Sequence, residues 1–123
     1  VVAYTRDELV TYSPVTEPAA ERGGLRIDEL CAAAVTLSDN TAANVLLRES
    51  GGPAALTRFA RALGDRATRL DRIEPALNDV GPGDVRDTTT PAAMAGTIHA
   101  LLFGRALSSG SRAVLSRMPM TVK

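Results

Sequence analysis

Leu37-Ser38-Asp39-Asn40-Thr41-Ala42-Ala43-Asn44 and, within one domain length, Arg72-Ile73-Glu74-Pro75-Ala76-Leu77-Asn78 are the two stretches that decide how this chain reads. The first places a hydroxyl, a carboxylate and an amide on consecutive residues just ahead of an apolar helical run. Taken alone, such a tripeptide is ordinary helix punctuation, because Ser, Asp and Asn all accept hydrogen bonds from free N–H groups at a helix start. Residues two apart on a helix do not share a face. Ser38 and Asn40 can therefore act on one partner only if the segment is a loop or strand-like turn, where positions i and i+2 lie on one side. Asp39 would then face the protein interior and could tie down backbone amides. The second stretch sets a carboxylate, Glu74, and an amide, Asn78, four positions apart on an irregular loop.

Outward from these stretches, punctuation predicts a helical chain. A helix is expected from about Ile27 to Val35. A second follows Ser38-Asp39, with Ala42, Ala43, Val45, Leu46 and Leu47 along it, and stops at Gly51-Gly52. Pro53 suits the first turn of a third helix reaching about Leu63, with Gly64 as its stop. Thr90-Pro91 opens another to about Phe103, and Ser108 caps a last one ending near Pro119. Tyr4 to Val10 alternates only weakly, and residues 11–18 read as a proline-marked loop.

Between the third and fourth helices lies residues 71–88, a stretch without regular periodicity. Loops of this length in compact domains are functional or disordered. Ile73, Leu77, Val80 and Val85 are available to anchor it, and closing its ends costs about 2.5 kcal/mol on the logarithmic estimate. Arg72 and Asp87 stand near its two ends with opposite charge, suited to clamp it as an Ω-loop or simply to sit in solvent.

Composition narrows the function classes. The chain has 123 residues, 45% of them hydrophobic, enough for one modest core. Lys+Arg and Asp+Glu are equal at 14 each, so no net field draws the chain to nucleic acid or a membrane surface. All the basic residues but Lys123 are Arg. Aromatics make up 3%, too few for base-stacking platforms. No apolar run approaches the roughly 18 residues of a membrane span. Cys31 and His99, each the sole residue of its type, are far apart in sequence with no supporting ligand cluster, which argues against a zinc site. Cys31 lies in an apolar helical stretch as a buried thiol. His99 falls off the apolar face marked by residues 94, 98, 101 and 102, and reads as a surface histidine. No cofactor or metal is expected.

In order and spacing, these segments resemble the class A serine β-lactamases. Val10-Thr11-Tyr12-Ser13-Pro14-Val15-Thr16-Glu17 is similar to that family's loop at the active-site mouth, and Leu37 to Asn44 to its S-D-N box. Gly51-Gly52-Pro53, Leu70-Asp71-Arg72 and Arg86-Asp87-Thr88-Thr89-Thr90-Pro91-Ala92-Ala93-Met94 continue the agreement, which runs to about Leu115. The chain contains neither the S-x-x-K nucleophile motif nor the K-T-G strand motif. The resemblance therefore implies a mainly α fold. Residues 1–123 would form a single partial domain, the helical part of the α/β serine β-lactamase and penicillin-binding transpeptidase fold. The β-sheet domain would be largely missing, and the Ω-loop would occupy about 71–88.

The resemblance also implies a mechanism. A serine outside this chain would attack the β-lactam carbonyl and form an acyl-enzyme. Ser38 would relay a proton toward the departing lactam nitrogen, Asn40 would hold the substrate's side-chain amide, and Glu74 would activate the hydrolytic water that Asn78 helps to hold. Tyr12 would wall the cleft. Asp39, Asn44, Arg72 and Asp87 would support these groups structurally, with Asn44 bracing the backbone near a cis Glu74–Pro75 bond. The implied partner is a small-molecule β-lactam, with no nucleic acid and no membrane span, and the intact protein would be a periplasmic or secreted monomer. Cys31 could pair with a cysteine upstream, as in some family members. Three departures stand out: Ala76 where many relatives carry a second glutamate, the glycine-rich Gly81-Pro82-Gly83-Asp84, and the poorly agreeing end 116–123. Two other readings share the fold: a penicillin-binding DD-peptidase, which lacks a base of the Glu74 type, and a non-catalytic helical module. Without its own nucleophile the polypeptide is expected to be inactive alone, and without the sheet against which its helices would pack it is expected to be at best marginally folded.

Overall fold

The computed structural model describes residues 1–118. The expected helix stop at Pro119 and most of the divergent end lie outside the described residues.

The fold is mainly α. Six α-helices occur among the described residues: α1 (Thr16–Ala19), α2 (Ile27–Leu37), α3 (Asn40–Glu49), α4 (Pro53–Ala62), α5 (Pro91–Phe103) and α6 (Ser109–Arg117). Two short strands, β1 (Val2–Ala3) and β2 (Gly24–Leu25), pair antiparallel in the register Val2↔Leu25 and Ala3↔Gly24. Gly24 is required there, since a Cβ at that position would collide with the Val2 carbonyl.

Local chemistry starts most of the helices where the sequence places them. Glu29 accepts the Arg26 N–H at 3.0 Å ahead of α2, Thr90 caps α5 through the Ala93 N–H at 3.1 Å, and Ser108 caps α6 through the Ser111 N–H at 3.1 Å. Pro53 and Pro91 take first-turn positions, where the missing N–H is no loss. Gly51 and Gly52, at φ of 102° and 89°, carry the chain from α3 into α4 through backbone that favours glycine.

Residues 11–18 depart from expectation. The predicted loop contains α1, with Pro18 inside it. The helix start is held from a distance: the Asp39 carboxylate accepts the N–H groups of Val15 and Thr16, so no local cap announces it. The strand pair was also not foreseen, because two-residue strands carry no readable alternation.

Tyr4, Ala19, Leu25, Leu30, Ala33, Ala42 and Val45 form the buried core, flanked by Val2, Leu9, Val15 and Leu46. Ala33 and Ala42 are the small residues buried where α2 packs on α3. Ile27, Leu37, Leu56, Phe59, Met94, Ile98, Phe103 and Val114 remain exposed, Phe103 to 70%. No helix among the described residues is long and apolar enough to cross a membrane.

Candidate active site

Ser38 ends α2 in the left-handed region, at φ 57°. Asp39 follows in extended conformation, and Asn40 opens α3. Asp39 is fully buried. Its Oδ2 accepts the Val15 and Thr16 N–H groups, both at 2.9 Å. Its Oδ1 accepts the Thr16 hydroxyl at 2.7 Å and the Ala42 N–H at 2.8 Å. One carboxylate thus caps α3 and holds the start of α1.

Ser38 and Asn40, on either side, are half-buried. Asn40 Nδ2 donates to the Thr11 carbonyl at 2.8 Å, and the Asn40 N–H donates to the Tyr12 carbonyl at 3.0 Å. Tyr12 itself adopts φ 65° and is half exposed. Buried Thr41 was not singled out from sequence. Its hydroxyl oxygen accepts the Val10 N–H at 3.0 Å and lies 2.6 Å from the Ser13 hydroxyl, fixing the chain on both sides of Tyr12.

Asn40 and Asn44 lie one turn apart on α3 and so share a face. Asn44 clasps the backbone of Glu74, donating from Nδ2 to its carbonyl at 3.0 Å and accepting its N–H on Oδ1 at 2.8 Å. α3 therefore physically connects the two stretches from which the sequence was read. The Glu74–Pro75 bond is cis. A short 3-10 turn at Ala76–Asn78 interrupts the expected irregular loop. It returns the Asn78 amide to Glu74, where Nδ2 donates to Oε2 at 2.8 Å. Among the described residues, Glu74 Oε1 accepts no hydrogen bond.

The ends of the 71–88 loop meet through polar contacts. Arg72 Nε donates to Asp87 Oδ2 at 2.7 Å, with the two side chains 18% and 2% exposed. Asp87 Oδ1 accepts the N–H groups of Asp71 and Arg72 at 2.6 and 3.0 Å, and the Asp87 N–H donates back to Asp71 Oδ2 at 2.9 Å. Arg72 Nη1 reaches the Asp79 carbonyl at 3.0 Å. The apolar anchors expected from sequence contribute less: Ile73, Val80 and Val85 are exposed, and only Leu77 is half-buried. Within this chain the loop is tied by hydrogen bonds to charged groups, because too little apolar surface faces those residues.

A second clamp lies beside it. Asp65 is buried and accepts the N–H groups of Ala67 and Thr68, the Thr68 hydroxyl, and the Thr97 hydroxyl of α5. Thr68 in turn meets Thr89 at 2.6 Å, and the Arg69 N–H donates to the Thr88 carbonyl at 2.9 Å. The Asp65-Arg66-Ala67-Thr68 spacing carries a turn signature that could have flagged this residue.

These clamps respond to acid. Burial pushes the Asp87 carboxyl up, but the Asp71 and Arg72 N–H groups and the Arg72 guanidinium outweigh it and hold the group below the usual carboxylate range. The Arg69 guanidinium, aided by the Asp87 N–H, holds Asp71 down at about 2. Hydrogen bonds from Arg86 depress Asp84, and the Thr68 contacts depress Asp65. Each folded pKa lies below its unfolded value. The stabilisation is therefore complete above the unfolded carboxylate range, about pH 4, and is lost as pH falls through the folded values. Hydrogen exchange, corrected for intrinsic rates, is expected to show protection of residues 71–88 unchanged from neutral pH to about pH 5 and falling toward about pH 2. Asp87→Asn is expected to produce the same selective loosening at neutral pH, with α2 and α3 unaffected. Equal loss across the loop and these helices would show that the neck does not open separately.

The remaining chemistry-bearing residues stand apart. Cys31 is a free, half-buried thiol whose pKa burial pushes up. His99 is exposed, its ring 5.2 Å from that of Phe103. Among the described residues, no group of His, Cys, Asp and Glu is placed to hold a metal.

Comparison with known proteins identifies the family. The sequence model of the β-lactamase enzyme family matches residues 1–118. β-Lactamase FAR-1 of Nocardia farcinica (strain IFM 10152) is 53% identical over 115 residues, covering 94% of this chain and 36% of that protein. The class A β-lactamase of the last common ancestor of Gram-negative bacteria (GNCA4) is 59% identical, with a TM-score of 0.89 over 93% of this chain and 43% of that structure. The β-lactamase structure from Desulfarculus baarsii DSM 2075 is 58% identical, with a TM-score of 0.88 over 93% of this chain and 42% of its own. The chain belongs to the β-lactamase enzyme family, in class A, and carries the helical portion of that fold. It spans about a third of the length of the curated relative it matches.

Proposed function

We propose that this chain supplies the deacylating half of a serine β-lactamase, with residues 71–88 as its Ω-loop and a β-lactam antibiotic as substrate. The observation that carries the reading is the setting of Glu74. Its backbone is clasped by Asn44, one carboxylate oxygen is engaged by Asn78, and the other accepts no hydrogen bond among the described residues. A carboxylate so held is available to a water molecule while its own position is fixed.

In the reaction, a serine elsewhere in the parent protein attacks the lactam carbonyl. The C–N bond breaks, and the attacking serine's hydroxyl proton reaches the leaving nitrogen by way of Ser38, which takes one proton as it passes one on. Asn40 orients the substrate through its side-chain amide, and Tyr12 walls the mouth of the site. Water then attacks the ester carbonyl, Glu74 takes the water's proton, and the serine oxygen leaves with a proton returned to it. Asn78 holds the water together with Glu74. A penicillin-binding peptidase needs a long-lived acyl-enzyme, and a base so prepared works against that. The parent protein acts as a monomer in the periplasm or outside the cell, without a cofactor.

The catalytic groups act as a unit, so a base without an acyl-enzyme has nothing to hydrolyse. The 123-residue polypeptide is expected to hydrolyse a chromogenic cephalosporin no faster than buffer. A longer protein supplying S-x-x-K and K-T-G segments should turn it over with saturation. Saturable hydrolysis by the 123 residues alone would require a nucleophile among them and overturn this division of labour.

A further inference from the structure

A cleft of about 430 Å³ lies between α4 and the chain at residues 69–71. Ala54, Thr57, Arg58 and Arg61 line it from one face of α4, as their three- and four-residue spacing requires. Arg69 and Asp71 line the opposite side. Thr57 holds the two sides together: its hydroxyl oxygen accepts the Leu70 N–H at 2.9 Å and donates to the Leu70 carbonyl at 3.1 Å. With Arg69 so held, three guanidinium groups and one carboxylate, Asp71, line the same cleft, while Asp87 and Asp84 act on Arg69 from outside it.

The donors of this cleft are only partly used. Arg69 commits Nε and Nη2 to Asp71, and Arg61 commits Nη1 to the carbonyls of Asp65 and Thr68. The Arg58 guanidinium makes no hydrogen bond or ion pair among the described residues. The first turn of α4 adds the Ala54 N–H, which has no partner within the helix by position, and the positive end of the helix dipole. The chain as a whole is neutral, so this excess of positive charge is local.

We propose that the cleft is a binding site for a small oxyanion of the phosphate class, either the free ion or a phosphomonoester. Guanidinium forks match the spacing of phosphate oxygens, and two or more forks converging on one group give charge-assisted, directional bonds. The cleft is too small and too poor in aromatic side chains to serve a nucleic-acid strand. Because Arg69 also holds Asp71 at the neck of the 71–88 loop, an anion in this cleft shares a ligand with the clamp of the loop that carries Glu74. The site does not depend on the catalytic reading.

The test is a titration of the isotopically labelled parent protein with inorganic phosphate and with phenyl phosphate, at ionic strength held constant with chloride. Saturable shifts of the Arg58, Arg61 and Arg69 Nε–H signals and of the Ala54 amide are expected. Tighter binding of the ester would identify a monoester head group as the ligand, and equal binding the free ion. Arg58 has no hydrogen-bond or ion-pair partner among the described residues, so Arg58→Gln should leave the fold intact and weaken binding about tenfold or more. Shifts no larger than chloride alone produces, or unchanged binding by Arg58→Gln, would overturn the proposal.

Discussion

Replacing Glu74 with alanine in the parent enzyme is expected to stop turnover at the acyl-enzyme. Removing a positioned general base slows its step by about 10²–10⁴, equivalent to roughly 3–5 kcal/mol of barrier. On the proposed mechanism the loss falls on deacylation, the step assigned to Glu74. Opening the lactam expels no atoms, so intact mass spectrometry after mixing with a penicillin should show the protein plus the whole antibiotic, persisting for many wild-type turnover times. Glu74→Gln tests the same step while keeping a side chain that Asn78 can still meet. Asn78→Ala should slow deacylation less, since it removes a hydrogen bond to the Glu74 carboxylate and leaves the carboxylate itself in place. Steady-state hydrolysis by Glu74→Ala at the wild-type rate, with no adduct, would remove Glu74 from the mechanism.

The parts of this structure that were legible in sequence are those governed by nearby residues. α4, α5 and α6 begin where Pro53, Thr90-Pro91 and Ser108 indicate, because capping chemistry acts within one turn. The break between α3 and α4 follows from Gly51 and Gly52 for the same reason. What escaped is non-local. α1 depends on a carboxylate more than twenty residues away, and β1 finds β2 across a similar gap. No window of sequence contains both members of either pair.

The candidate site divides along the same line. Glu74 and Asn78 are four residues apart, and their contact needed only the 3-10 turn between them. The clasp of Asn44 on Glu74 spans thirty residues, and only the family resemblance suggested it. The apolar residues of the 71–88 loop misled, because hydrophobicity marks what can be buried but does not say what lies opposite. Ile73, Val80 and Val85 face little of this chain, and the neck is held by Arg72, Asp71 and Asp87 instead. Asp65 was overlooked as one acidic residue in a turn, although it ties the end of α4 to α5 through Thr97.

Asp39 sits where these scales meet, and Asp39→Ala is expected to be the most damaging substitution for stability. The alanine would leave the Val15, Thr16 and Ala42 N–H groups and the Thr16 hydroxyl without their acceptor in the interior. An unsatisfied buried donor costs about 1–3 kcal/mol, and relaxation makes four of them less than additive. A total of roughly 3–5 kcal/mol is expected, a large share of the 5–15 kcal/mol that holds a typical domain together. Asparagine should not restore it, since an amide presents a donor where the carboxylate offers only acceptors. Denaturant unfolding of the parent protein should show a lower midpoint at unchanged slope. The effect should reach function as well, because Asp39 fixes the backbone between Ser38 and Asn40 and seats the chain that carries Tyr12. Activity per folded molecule should therefore fall even where the variant remains folded. A loss below about 1 kcal/mol would mean that these four donors find water or other acceptors on their own, and that the tripeptide is held by the packing of α2 on α3.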